Sequence, residues 1–346
     1  MAKFNPSRLN LARVRRGLTM TALAKKAGIS HRIVVEYEKD YCLYEPSEKT
    51  VSALVDALKY PAEFFFGDDI ELINPSTVSF RSLKKMTAAQ EGAAIGAGQI
   101  GLILSDYFES KFKLPELNLI DLRGETPELA ARTLREYWRL GNKSISNMVH
   151  LLEMNGIKVF SLSENAVEVD AYSFWKDEKA YVFLNNQKTA ERSRFDAAHE
   201  LGHLVLHKHG TPQGKDVEAE ANEFASAFLM PKENVLAAKM QHPSVDGISQ
   251  LRDNWKVSTF ALIYRMRQVG ALTTWQYNNL VREASARGFR TKEDRVMERE
   301  RSIIIDKLLQ ALSSEGCTLP IIARQLNMPL GEVSNVLFRF GLVPNI

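Results

Sequence analysis

The sequence predicts an α+β fold with all-α ends. Three observations carry that expectation: short amphipathic runs broken by Gly and Pro turns up to residue 67, a cluster of alternating apolar segments between residues 157 and 184, and helical periodicity from there to the C-terminus. A length of 346 residues suits two to three domains. Apolar residues at 45% and charged residues at 25% exclude a disordered or fibrous chain. The formal net charge is +3, and residues 1–67 hold 11 Lys/Arg against 7 Asp/Glu, so the basic surplus is N-terminal. Cys42 and Cys317 fit neither a disulfide framework nor a CxxC knuckle, which makes a reducing cytoplasm the expected compartment. No apolar run reaches the length of a membrane span and the first residues are too polar for a secretory signal, so no membrane partner is expected.

Taken in order, Leu9 to Arg16, Thr21 to Ala27 and the run after Gly28-Ile29-Ser30 to Glu38 read as three short helices. A fourth, Glu48 to Lys59, starts after Pro46-Ser47 and ends before Pro61, and Phe64-Phe65-Phe66 supplies aromatic bulk to close a first domain over residues 1–67. Residues 68–126 form a linker and a helical segment. There the helix Met86 to Phe112 carries Gly92, Ala93, Ala94, Gly96, Ala97 and Gly98, as readily a packing seam as anything functional. Residues 127–231 form the central domain. It has two helices between Pro127 and Glu153, strands Ile157 to Leu162, Val169 to Phe174 and Lys179 to Leu184, then helix Ser193 to His207, a polar loop His209 to Lys215 and helix Val217 to Leu229, stopped by Pro231. Residues 232–346 form a C-terminal helical region. Its last part, from Thr291, opens with a charged helix and closes with two short helices around Thr318 to Arg339.

His199-Glu200-Leu201-Gly202-His203 is an HExxH motif. Ser193 and Asp196 form a capping signature at the start of its helix, and Phe195, Ala198, Leu201, Leu204 and Val205 recur at helical spacing. Positions i and i+4 lie one turn apart on one face, so both imidazoles can bind one Zn2+ while Glu200 projects beside them to take a proton from water. The competing reading, a chance match on a core helix, is outweighed by this helical context and by an acidic helix downstream.

Two histidines leave a catalytic zinc one protein ligand short. The spacing HExxHxxGxxH is absent, because Leu204-Val205-Leu206-His207 follows His203, so a carboxylate is expected from the helix that carries Glu218, Glu220 and Glu223, the last of which reads as solvated face. Glu218-Ala219-Glu220-Ala221-Asn222 resembles the ExxA[DN] element of the glutamate-liganded zincins. That resemblance implies Glu218 as the ligand and Asn222 as a residue orienting a metal histidine, with Glu220 the rival for the third position. His207 and His209 read as a helix-end cap and a loop residue rather than ligands. Tyr172 and Tyr181 are candidates for oxyanion stabilisation. Strand Ala180 to Leu184 precedes the motif. In zincins similar to this chain an edge strand pairs with an extended peptide, and an ordinary core strand is the alternative. Manganese or iron could replace zinc at such an N/O site.

The run from Leu18 to Glu38 resembles the helix-turn-helix of the Cro/C1-type (XRE) repressors, with Leu23-Ala24, Gly28-Ile29-Ser30, Val34 and Glu38 at core, turn, cap and core-adjacent positions. The resemblance implies a recognition helix beginning at Ser30. Ser30, His31 and Arg32 would then lie near base edges and Arg13, Thr19 and Lys25 near the phosphates of double-stranded DNA. Met20 stands where glutamine is frequent and Val35 where a polar residue is usual, departures that bear on base readout more than on DNA binding. A protein-interaction helical module is the alternative. Thr318 to Val333 resembles a second helix-turn-helix, a unit that also serves for packing or partner binding.

Phe80-Arg81-Ser82, Tyr137-Trp138-Arg139-Leu140-Gly141, Leu151 to Gly156, Arg194 to His203, Ala221 to Ala225 and Trp255 to Ser258 extend the pattern. As a whole the chain resembles an XRE-type regulator fused to an ImmA/IrrE family metallopeptidase. The resemblance implies a zincin-like domain in a cytoplasmic bacterial or phage protein. It would cleave a repressor or antitoxin-like protein in a stress-response, mobile-element or toxin-antitoxin setting, and a homodimer is one expected state. The alternative is a transcriptional regulator or antitoxin whose metal site is structural or sensory.

Overall fold

The computed structural model describes residues 3–39, 41–42, 44–71, 73–74, 78–80, 87–162, 171–185, 187–208 and 215–337. Of the expected features, Arg81-Ser82, Val169 at the start of the second strand, His209 with its loop to 214, and Arg339 lie outside these residues. The elements run α1 (Pro6–Arg15), α2 (Met20–Ala27), α3 (His31–Tyr37), α4 (Glu48–Leu58), β1 (Ser79–Phe80), α5 (Ala88–Glu109), α6 (Pro127–Tyr137) and α7 (Met148–Met154). There follow β2 (Lys158–Leu162), β3 (Ala171–Lys176), β4 (Lys179–Asn185), α8 (Ala190–Leu206), α9 (Lys215–Leu229), α10 (Lys232–Ala237), α11 (Val245–Leu251), α12 (Thr259–Gln268) and α13 (Thr274–Ala286). The last helices are α14 (Ile303–Ser314), α15 (Leu319–Gln325) and α16 (Leu330–Val336). This is the expected α+β chain, helical at both ends around a small sheet. Among the described residues no helix is long and apolar enough to cross a membrane.

The chain divides into two compact units: Met1–Leu114 with Val159–Asp170 and Ser302–Ile346, and Pro115–Lys158 with Ala171–Arg301. In the first, α1 begins at Pro6 because Asn5 caps it, its side chain accepting from the Ser7 N–H at 2.9 Å, and proline at the first helical position has no N–H to lose. Thr19 caps α2 and Ser30 caps α3, with Gly28 between them at φ +67°, the left-handed residue the turn requires. Leu9, Leu11, Leu23, Val34, Leu54, Phe64 and Phe65 are buried as its core. The small residues of α5 form a packing seam: a Cβ on Gly96 would lie 2.6 Å from Arg15 Cδ and 3.2 Å from Leu11 Cδ1, both on α1. On α16, buried Glu332 accepts from Arg15 at 2.6 Å and from Arg16, so the last residue of α1 and the one that follows it serve the packing of the C-terminal helices.

In the second unit β3 and β4 pair antiparallel from Ala171↔Leu184 to Lys176↔Lys179, joined by Asp177-Glu178. Both turn residues have positive φ, +45° and +57°, as a tight two-residue hairpin demands. Helix α8 starts three residues before the expected Ser193. Thr189 accepts from the Arg192 N–H at 3.3 Å and caps it, so Ser193 and Asp196 fall inside the helix rather than at its start. The charged stretch from Thr291 to Arg301 is not the expected helix but an irregular strap. Its carboxylates serve other elements: Glu293 accepts from the Thr259 hydroxyl at 2.7 Å, Asp294 from Ser249 at 2.6 Å, and Glu300 from Arg194. Arg194 and Arg252 are both buried. Partners for such charges outweigh the few tenths of a kcal/mol per residue that local helix propensity offers.

Candidate metal centre and helix-turn-helix face

His199, Glu200 and His203 lie on α8 and are buried. One turn apart, the two imidazoles bring their Nε2 atoms to 3.0 Å. Glu218, from the first turn of α9, completes the group, with Oε2 at 3.3 Å from His199 Nε2 and Oε1 at 3.3 Å from His203 Nε2. Two ligand atoms each about 2.05 Å from a tetrahedral ion lie about 3.3 Å apart, so the spacing of this N/N/O set fits zinc. Gly202 permits the approach of α9: a Cβ there would lie 3.0 Å from Phe224 Cδ1 and 3.3 Å from the Ala221 Cα. Burial alone would raise the Glu218 carboxyl. The facing imidazoles of His199 and His203 outweigh it and hold the group well below the ordinary carboxylate range.

The rival Glu220 is engaged elsewhere. Its Oε2 lies 2.9 Å from His207 Nε2, while His207 Nδ1 lies 3.1 Å from His203 Nδ1. His207 does cap α8, its N–H donating to the His203 carbonyl at 3.0 Å, but its ring also joins His203 to a carboxylate. The Asn222 amide donates to the Glu218 carbonyl at 2.7 Å, one turn back on α9.

Ser173 on β3, absent from the sequence reading, donates its hydroxyl to Glu200 Oε2 at 2.7 Å. Its signal was one buried hydroxyl within the apolar run Ala171-Tyr172-Ser173-Phe174-Trp175. Ser173 and Trp175 both reach α8, the latter by Nε1 to the Leu204 carbonyl at 3.3 Å, so these alternate residues face the helix. Tyr172 and Phe174, with their partners Phe183 and Tyr181, therefore occupy the opposite face, where Tyr172 stacks on Phe183 at 4.8 Å and Tyr181 on Phe174 at 5.2 Å. This geometry removes Tyr172 and Tyr181 as oxyanion candidates. All residues of β4 from Ala180 to Asn185 are buried, and β3 pairs with it along its length.

In the first unit Thr19, Lys25, Ser30, His31 and Arg32 are exposed around α2 and α3. Arg13 is not on that surface. It is buried, with Nε at 2.5 Å and Nη2 at 2.7 Å from the two Glu38 oxygens and Nη1 donating to the Leu18 carbonyl at 2.7 Å. The expectation of a phosphate contact at Arg13 is thus corrected: its guanidinium ties α1 to the end of α3.

Residues 9–65 match the family model described as Helix-turn-helix, and residues 152–267 match the model described as IrrE N-terminal-like domain. A comparison with curated proteins finds no match. The second match contains His199, Glu200, His203 and Glu218, and the first contains α2 and α3. One polypeptide thus joins an XRE-type helix-turn-helix region to an ImmA/IrrE-like metallopeptidase-family region.

Proposed function

We propose that the chain is a cytoplasmic DNA-binding regulator with zinc-dependent endopeptidase activity toward a repressor or antitoxin-like protein, in a stress, mobile-element or toxin-antitoxin setting. The observation that carries the reading is the convergence of His199, His203 and Glu218 beside Glu200, whose carboxylate Ser173 holds at 2.7 Å. His199, His203 and Glu218 would hold the zinc, with Asn222 in support. When bound, zinc supplies a Lewis acid that polarises a carbonyl and acidifies water. Glu200 takes the proton from the attacking water as the new C–O bond forms, then returns it to the amine nitrogen as the C–N bond breaks. The Ser173 hydroxyl occupies one Glu200 oxygen and orients the other. Three protein donors leave a coordination position for water or substrate, whereas a purely structural zinc site takes four. On the other unit, Lys25 and Thr19 would meet phosphates and Ser30, His31 and Arg32 base edges.

The test compares protein termini in cells expressing wild type and Glu200→Gln. Termini that arise only with wild type, and recur when purified zinc-loaded protein meets that substrate, are the expected result. Cleavage undiminished by Glu200→Gln overturns the mechanism. An absence of new termini across stresses, with DNA binding intact, replaces it with a sensory metal site.

A further inference from the structure

We infer that His207 and Glu220 are positioning residues for His203, fixing the tautomer in which its Nε2 is free to ligate metal. The inference rests on the proposed function in one respect, that His199, His203 and Glu218 are the metal's ligands.

The geometry leaves one consistent proton assignment. His203 Nε2 lies on the converging side, 3.0 Å from His199 Nε2 and 3.3 Å from Glu218 Oε1. A ligating imidazole nitrogen carries no proton, so in the ligating tautomer the proton of His203 sits on Nδ1. That nitrogen is 3.1 Å from His207 Nδ1, and two ring nitrogens form a hydrogen bond only when one donates and the other offers a lone pair. His207 Nδ1 must therefore accept, which puts the His207 proton on Nε2. There the acceptor is Glu220 Oε2, 2.9 Å away. Reversing the chain would turn the His207 Nε2 lone pair toward a carboxylate and put a proton on His203 Nε2, facing the other ligands. Glu220 thus sets the direction of the whole relay through His207. The chain connects two features whose sequence readings were separate: a histidine one turn beyond HExxH, and a second acid next to the ligand on α9.

The test is zinc affinity of the full chain, stripped with a chelator and titrated against a chromophoric competitor, together with the visible spectrum of the cobalt-substituted protein. Loss of such outer partners commonly weakens metal binding by about 10–100-fold, and His207→Ala is expected in that range. His207→Gln, whose amide oxygen can accept the same Nδ1 proton, is expected to recover part of the loss. Glu220→Gln keeps an acceptor but not the charge, and is expected to fall between wild type and His207→Ala with a shifted cobalt spectrum. A role for His207 confined to capping the helix would lower the melting temperature of the metal-free chain and leave both metal readouts unmoved. Zinc affinity within about twofold of wild type in His207→Ala and Glu220→Gln, with unchanged cobalt spectra, overturns the relay while the metal centre stands. Should His207→Ala fail to fold, the half-exposed Glu220 carries the test alone, since its replacement disturbs no packed core. A wild-type chain that takes up neither ion overturns the metal centre and the relay with it.

Discussion

Gly202→Ala probes whether helix contact sets the geometry of the candidate metal centre. The added methyl would meet Phe224 Cδ1 at 3.0 Å and the Ala221 Cα at 3.3 Å, against ordinary carbon contacts of about 3.5–4.0 Å. Phe224 is buried and stacked on Phe228 with ring centroids 5.5 Å apart, so its ring has little room to swing away. The α9 backbone must then retreat by a few tenths of an ångström. Ala221 is three residues beyond Glu218 on the same helix, so that retreat moves a ligand by at least the roughly 0.2 Å that metal–ligand distances tolerate. Overpacking costs about 1–3 kcal/mol, while alanine in a helix gains about 1 kcal/mol over glycine. The metal-free protein should therefore be destabilised by no more than about 2 kcal/mol, and the rest of the strain should appear in binding. Zinc affinity is expected to fall roughly tenfold, the equivalent of about 1.4 kcal/mol. Competition titration and denaturant unfolding of the metal-free chain read the two effects separately. Wild-type zinc affinity with raised stability would show that α9 has slack at this contact and refute the argument.

Glu332→Ala removes the carboxylate that faces the buried Arg15 charge while the Ala93 carbonyl, at 2.9 Å, stays; urea unfolding should show a loss near 3 kcal/mol, the low end for a broken buried pair, and a loss below 1 kcal/mol would contradict it. Ser173→Ala should leave zinc affinity unchanged and slow hydrolysis of the identified substrate by about 10–100-fold, the worth of a hydrogen bond to a charged group; an unchanged rate would free Glu200 of any dependence on Ser173. Arg32→Ala should reduce the salt slope of DNA binding by about one, whereas Arg13→Ala should lower folding stability at an unchanged slope; the reverse result would return Arg13 to the DNA surface. Burial, outweighing the Thr259 hydrogen bonds and the Arg252 charge, holds the Glu293 carboxyl above its ordinary 4.5. The folded state then binds more protons than the unfolded, so wild type should lose stability relative to Glu293→Gln as pH rises from about that value through the raised one, and parallel pH profiles would refute it.

What the sequence made legible was local. The turn between α2 and α3 could be read because Thr19, Gly28 and Ser30 each act within four residues of themselves. His199 and His203 could be paired because helix periodicity alone brings i and i+4 together. Two of the misreadings involve groups whose partners are distant in the chain. Arg13 reads as a basic residue beside a DNA-binding motif until Glu38 captures it, and residues 291–301 read as a charged helix until their acids find Arg194 and Arg252. The choice between Glu218 and Glu220 was open for the same reason. Both lie near the start of one helix, and which of them faces the histidines depends on how α9 packs on α8 at Gly202.

Helix α8 is restrained along its length, and this bears on how the site keeps its shape. Near its N-terminus Arg194 is tied to Glu300 and Glu191 to Arg252 at 3.1 Å. Near its C-terminus the Leu204 carbonyl accepts from Trp175 at 3.3 Å and the Val205 carbonyl from the Leu122 N–H at 3.0 Å. His199, Glu200 and His203 sit between these ties, so the helix cannot rotate about its axis without breaking a bond to a buried charge. Ligands and base held on such an element need little reorganisation when metal or substrate arrives. The strap that anchors Arg194 and Arg252 contributes no side chain to the His199, His203 and Glu218 cluster, yet it fixes the orientation of the helix that carries two of its members. Substitutions at Glu300 should accordingly reach the metal centre through α8, without any contact to it.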